Sequence, residues 1–188
     1  TMHFVKWQAC GNDFVFVNGF EEKLEEVTKH TKEICDRHFG IGADGIIFVL
    51  PSDKADLRMR IFNADGSEAE MCGNGIRAFA KWAHELGLVK EKRISVETGA
   101  GILYPQLEED GLVKVDMGKP HLDAKEIPTV GFSKSPVIDE TLSNEKNGKS
   151  YQVTCVSMGN PHCVIFVDDA EAVDVAGEGP NLETDSHF

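Results

Sequence analysis

The stretch Met71-Cys72-Gly73-Asn74-Gly75-Ile76-Arg77 decides how the rest of the chain is read. Downstream of it, Ile76, Phe79, Ala80, Ala83 and Leu86 recur at helical spacing, and Gly87 stands where a helix ends. Cys72 is therefore expected at a helix N-terminus, where unpaired N–H groups and the positive end of the helix dipole favour a thiolate. The glycines on either side of Asn74 allow an anionic group, such as a ligand carboxylate, to approach those N–H groups closely. The alternative is a buried, inert thiol, the commoner state of an isolated cysteine. The flanking glycines and the helix start favour a reactive one.

Upstream, His3 to Gln8 and Phe14 to Val17 read as strands joined by the turn Ala9-Cys10-Gly11-Asn12-Asp13. Glu21 to His38 reads as one helix with Leu24, Val27, Thr31, Ile34 and Cys35 on its apolar stripe, so Cys35 is expected in the core. Gly40-Ile41-Gly42-Ala43-Asp44-Gly45 matches the dinucleotide-binding pattern G-x-G-x-x-G, but it follows a helix and enters the apolar strand Ile46 to Leu50. That order is the reverse of the one that sets pyrophosphate on a helix N-terminus, so the stretch is read as a connecting loop. Leu57 to Phe62 is a further strand, ending in the turn-rich Asn63-Ala64-Asp65-Gly66-Ser67.

After the central helix, Arg93 to Glu97, Ile102 to Leu107 and Leu112 to Met117 read as strands. The proline-bearing stretch from Gly118 to Asn147 is poor in pattern, which places a boundary between residues 1–118 and 119–188. Tyr151 to Met158 and Cys163 to Val167 are strand-like around the turn Gly159-Asn160-Pro161-His162, while Asp168 to Phe188 shows little periodicity. This second strand, Gly-Asn turn and strand echoes the one at Asn12. If the chain repeats one unit, Asn160 leads to a counterpart of Cys72 about sixty residues further on, past Phe188. The expectation is a chain cut inside its second unit.

The 188 residues are 41% hydrophobic and 27% charged, in the range of a soluble globular protein. A net charge of −13 argues against nucleic acid and anionic membrane as partners. No apolar run is long enough to span a bilayer, and the first residues lack a signal-peptide pattern. Five cysteines without Cys-x-x-Cys spacing suit reduced thiols in a cytoplasm, not a disulfide framework or a metal site. A protease-type Cys72 would need a histidine base, and His38, His84 and His162 stand in no recognisable signature. Proton abstraction beside a carboxylate fits better, with Asn12, Asn63 and Asn160 as amides for a polar small molecule.

Taken together, Cys72-Gly73-Asn74-Gly75, Ala9-Cys10-Gly11-Asn12-Asp13-Phe14, Gly40-Ile41-Gly42-Ala43-Asp44-Gly45, Phe62-Asn63-Ala64-Asp65-Gly66-Ser67 and Gly159-Asn160-Pro161-His162 resemble diaminopimelate epimerase. The match is ordered and spans most of the chain, and Asn74 in place of a histidine leans away from the proline-racemase branch. The resemblance implies an α/β (α+β) fold with mixed sheets, in two pseudo-symmetric halves that each wrap strands around a central helix, the second half incomplete here. It implies a cofactor-independent, two-cysteine proton transfer that interconverts LL- and meso-diaminopimelate in lysine and peptidoglycan precursor synthesis. Cys72 would be one base; Asn12, Asn63, Gly73, Asn74 and Asn160 would contact substrate; His162 would help set thiol pKa values.

No metal or cofactor is implied, and a cytoplasmic homodimer is the family precedent. Gly45 departs from the family, many members of which carry glutamine there. The second cysteine, a Glu-Arg pair and a further asparagine of the family would lie beyond Phe188. Cys155 and Cys163 fall in strand-like runs and are not expected to replace that cysteine, while Cys10 is expected as a packed thiol. The alternative to an active epimerase is a catalytically incomplete piece that binds substrate weakly, or another isomerase of the superfamily.

Overall fold

The computed structural model describes all 188 residues, which divide into two compact units, Thr1–Met117 and Gly118–Phe188. The first contains eight strands: β1 (Val5–Ala9), β2 (Asn12–Asn18), β3 (Gly45–Leu50), β4 (Leu57–Asn63), β5 (Glu68–Ala69), β6 (Val96–Thr98), β7 (Gly101–Leu107) and β8 (Val113–Asp116). They form one sheet in the order β1-β2-β3-β4-β6-β7-β8, with β5 on β4. The sheet is mixed: β2 with β3 and β4 with β6 run parallel, and the other pairs are antiparallel.

β2 and β3 read as continuous apolar runs because both of their faces are covered. Successive side chains of a strand point to opposite faces. Thus Phe14, Phe16, Ile47 and Val49 enter one core cluster while Val15, Val17, Ile46 and Phe48 enter another. The first cluster is built on helix α3 (Gly73–Glu85), whose Ile76, Phe79, Ala80 and Ala83 are fully buried, with Phe16 edge-on to Trp82 at 5.6 Å between ring centroids. α3 packs against β1, β2 and β3 and also against β7 and β8. Strands from both ends of the sheet reach one helix, so the sheet wraps around it, as the expected fold class requires.

The second cluster lies under α1 (Leu24–Thr28) and α2 (Thr31–Cys35). One continuous helix was expected over Glu21–His38, and the chain forms these two short ones. His30 breaks it, with φ −112° and ψ 19°. The β-branched Val27, Thr28 and Thr31 weaken the helix there, and the Thr31 hydroxyl donates to the Thr28 carbonyl at 2.9 Å, competing with the backbone ladder. Cys35 is buried as expected, and burial pushes its thiol pKa up.

The second unit holds a three-stranded antiparallel sheet, β11-β10-β9, from β9 (Glu140–Asn144), β10 (Lys149–Ser157) and β11 (Pro161–Val164), followed by α4 (Val175–Glu183). Ile127, Val137, Leu142, Val153 and Cys155 form its core. β11 starts at Pro161, two residues before the expected strand, and ends at Val164. Neither β9 nor α4 was expected. The buried face of β9 is Glu140, Leu142 and Asn144, two of them polar, and α4 contains Pro180 and two glycines. No apolar periodicity marks either element.

Both Gly-Asn turns do form antiparallel hairpins. The first is a two-residue loop with Cys10 and Gly11 at φ 55° and 83°, and the second is longer by one residue, with Gly159 at φ 107°.

Candidate active site around Cys72

The β1–β2 hairpin, the loop before β3 and the start of α3 meet at Asn12. Cys72 is the N-cap of α3, in extended conformation, and its Sγ accepts the Gly75 N–H at 3.3 Å. The N–H groups of Gly73 and Asn74 precede the first intrahelical bond, made by Ile76 to the Cys72 carbonyl, and so remain for an anion. A side chain at position 75 would crowd the core: a Cβ would stand 2.7 Å from the buried Ile47 Cδ1, which would have to shift, and 3.6 Å from Cys72 Sγ. Gly73 faces open space, with only Met117 Cε within 3.8 Å of a Cβ, so a ligand carboxylate has access.

On the other side of the sulfur, the Cys72 Sγ–H donates to Asn12 Oδ1 at 3.4 Å, and Asn74 Nδ2 donates to the same oxygen at 3.5 Å. Arg77, one turn along α3, donates to the Gly73 carbonyl at 2.9 Å, to Asn74 Oδ1 and to Cys10 Sγ at 3.6 Å. It thereby fixes the amide of Asn74 and brings Cys10 to the edge of the cluster, where Cys10 is exposed and not the packed thiol expected, because it sits at the tip of the β1–β2 hairpin.

Behind Asn12 lies an ion-pair network. Arg37 grips Asp13 with both terminal nitrogens, at 2.7 and 3.2 Å, and reaches Asp44 Oδ1 at 2.8 Å. Lys6 pairs with Asp13 at 2.9 Å and also donates to the Gly42 carbonyl. The Arg37 guanidinium, with Lys6, holds the Asp13 carboxyl well below the ordinary carboxylate range. Asp13 in turn raises Arg37. Asp44 Oδ2 accepts from Asn12 Nδ2 at 2.6 Å and from the Asp13 N–H at 3.0 Å.

The structure thus gathers four of the expected residues, Cys72, Asn12, Gly73 and Asn74, at one end of the sheet. Asn63 closes β4 at that same end, paired with Gly45, but its amide donates to Ser67 Oγ at 3.0 Å within its own turn. Asn160 and His162 stand on the β10–β11 hairpin of the second unit, where the Asn160 carbonyl bonds the His162 ring at 2.9 Å. A cavity of about 420 Å³ in that unit is lined by Ile127, Pro161, His162, Cys163, Leu182 and Phe188. It lacks the converging donors found at Cys72. The Cys163 thiol is pushed up to about 12, by desolvation and then by Cys155 directly across the strands.

Asp44, Arg37 and Arg77 were not picked out from the sequence. Asp44 lay inside the glycine pattern set aside as a loop. Arg77 had a usable signal, since positions three and four residues apart on a helix face each other, which sets Arg77 beside Asn74 and Gly73.

The fold is that of solved epimerases. A hydroxyproline epimerase from Agrobacterium vitis matches with a TM-score of 0.61 at 14% identity, over 93% of this chain and 54% of that one. A Pseudomonas aeruginosa protein described as a predicted epimerase matches with a TM-score of 0.55 at 20% identity, over 96% and 67%. The chain belongs to the diaminopimelate epimerase family, whose model matches residues 4–122. The diaminopimelate epimerase of Moorella thermoacetica is 53% identical over 97% of this chain and 66% of its own length. That of Pelotomaculum thermopropionicum is 52% identical, over 100% and 68%. The chain spans about two thirds of the length of these curated relatives.

Proposed function

We propose that this chain supplies one catalytic base and much of the carboxylate-binding cradle of a cofactor-independent diaminopimelate epimerase. The observation that carries the reading is the sulfur of Cys72, held between a backbone N–H of a helix N-terminus and the amide oxygen of Asn12. The donor stabilises a thiolate and the acceptor a thiol, so each protonation state keeps one hydrogen bond. That suits a group that must take a proton and later return one.

In the proposed step the Cys72 thiolate removes the α-proton of a diaminopimelate stereocentre. The S–H bond forms, the Cα–H bond breaks, and the electron pair passes into the substrate carboxylate. The free N–H groups of Gly73 and Asn74 stabilise the charge growing there. Inversion then needs a second acid on the opposite face. Among the cysteines present, Cys35 and Cys155 are buried, and desolvation pushes the Cys163 thiol up to about 12. Cys10 has neither a helix N-terminus nor a backbone N–H on its sulfur. Asn63 and Asn160 are proposed as substrate amides and His162 as the group that tunes a thiol. The two structural units are proposed as the two halves of the family's fold, and a cytoplasmic homodimer follows the family precedent. No helix is long and apolar enough to cross a membrane.

The test is α-proton exchange in D2O under reducing conditions, with LL- and meso-diaminopimelate followed by NMR. This chain should exchange the α-proton slowly and without inversion, and Cys72→Ala should abolish the exchange. Exchange that survives Cys72→Ala would remove Cys72 as the base. Inversion by the 188 residues would show a second acid among them.

A further inference from the structure

We infer that Asp44 is a positioning residue of this site: it fixes the side-chain amide of Asn12 so that Oδ1, and not Nδ2, faces the Cys72 thiol. The role deepens the proposed function, on which its catalytic meaning rests.

The orientation of an amide is ambiguous unless a neighbour is restricted to donating or accepting. A carboxylate paired with arginine only accepts. Asp44 Oδ2 lies 2.6 Å from the Asn12 amide nitrogen, so the nitrogen must face Asp44 and the oxygen must face the sulfur. Asp44 itself has little freedom. Oδ1 takes Arg37 at 2.8 Å, and Oδ2 also takes the Asp13 N–H at 3.0 Å. Its N–H donates to the Asp13 carbonyl at 2.8 Å, and its carbonyl accepts from Ala64 at 3.1 Å.

The loop that carries Asp44 is fixed as firmly. A Cβ at Gly40 would stand 2.0 Å from the Glu33 carbonyl oxygen, and one at Gly45 would stand 2.4 Å from that of Phe62. The glycine pattern that imitates a dinucleotide motif is what delivers an obligate acceptor to the back of Asn12.

The charged groups around this chain of contacts are Lys6 from β1, Asp13 from β2, Arg37 from the loop after α2 and Arg77 from α3. Arg37 neutralises Asp44, so Asp44 acts on Cys72 through the amide and not mainly through its charge. Without Asp44, the one remaining side-chain restraint on the Asn12 amide besides the sulfur is the long 3.5 Å contact from Asn74 Nδ2, and Asn12 can turn its own Nδ2 towards the sulfur. A donor there stabilises the thiolate and removes the acceptor that stabilised the thiol.

The experiment is the pH profile of iodoacetamide alkylation of Cys72, read by peptide mass spectrometry on the reduced chain. Asp44→Asn keeps the side-chain size and is checked for native near-UV circular dichroism; Asp44→Ala removes the acceptor outright. Both should move the midpoint to lower pH by about half to one unit, roughly a 3- to 10-fold faster reaction below the midpoint. In an Asn12→Ala background, Asp44→Asn should add no further shift, because the two residues act in series. Glu68→Gln, which frees Arg60 away from Asn12, should leave the profile in place.

A shift of equal size with and without Asn12 would mean that Asp44 acts by charge alone and would overturn the inference, as would no shift in either background. Alkylation does not require turnover. A chain that shows this coupling but never exchanges a substrate α-proton would defeat the proposed function and leave the positioning role standing.

Discussion

Gly45 sits where this chain leaves no room for a side chain. Between Phe14 on β2 and Asn63 on β4, a Cβ would lie 2.4 Å from the Phe62 carbonyl oxygen and 3.3 Å from the Phe14 ring. Backbone, not a flexible side-chain tip, would have to move. Gly45→Gln should therefore lower stability by about 1–3 kcal/mol, seen as a lower melting temperature, and should not improve substrate binding. An unchanged melting temperature would show that β3 and β4 separate readily at this point. The cysteines differ just as sharply by environment. Cys163 is exposed, yet its thiol is pushed up to about 12. At pH 7 to 8 Cys163 should alkylate slowly in the native chain and fast after denaturation, with the native rate still rising at the highest pH reached. Rapid native labelling at pH 7 would contradict the placement of Cys155 against it.

At the scale of elements, the central helix and the strands beside it were legible because their signals are local. α3 carries an apolar stripe, a cap and a terminal glycine, and β2 and β3 carry uninterrupted apolar runs. The cluster at Asn12, Cys72 and Asn74 was legible from turn chemistry and the helix start. Asp44 was not, because its importance lies in a contact with a residue 32 positions away that no periodicity reports. β9 was hidden for a related reason. Its inward face includes Glu140 and Asn144, which are tolerated inside only because other segments satisfy them. Glu140 is held by Lys134 at 2.5 Å and Ser133 at 2.8 Å. Asn144 donates to Asp185 at 2.6 Å and to the Asn181 carbonyl at 2.9 Å, and its oxygen takes two backbone N–H groups of the following turn. Asn144 thereby ties β9 to the end of α4. Asn144→Ala leaves the Asp185 carboxylate short of a donor and should cost about 2–3 kcal/mol in urea unfolding followed by circular dichroism. A cost below about 0.5 kcal/mol would mean that water already serves these groups.

On the scale of the whole molecule, the acidic charge and the placement of the carboxylates lead to different pH limits for solubility and for folding. The formal charge of −13 at pH 7 falls to zero near the isoelectric point of about 4.9, where like-charge repulsion between molecules disappears. Folding should not fail there. Asp13 is held down by Arg37, Asp56 by the Ser95 N–H, Glu68 by Arg60, Glu140 by Lys134 and Glu178 by Lys149. Each has a folded-state pKa below its unfolded one. Between the two values the unfolded chain binds more protons, so stability rises with pH. The contribution is fully present above the ordinary carboxylate range of about 4 and is lost as pH falls through the depressed folded values. The chain should accordingly be least soluble near pH 4.9 while retaining native circular dichroism, and should unfold only at lower pH. Asp13→Asn should be less stable than the parent at pH 7 and equally so at pH 5, because Asp13 stays ionised at both. The gap should close only in strong acid, where the parent also loses the charge. A gap that already closed at pH 5 would mean that Arg37 and Lys6 do not hold Asp13 as the geometry indicates, and would weaken the same network's hold on Asp44 and Asn12.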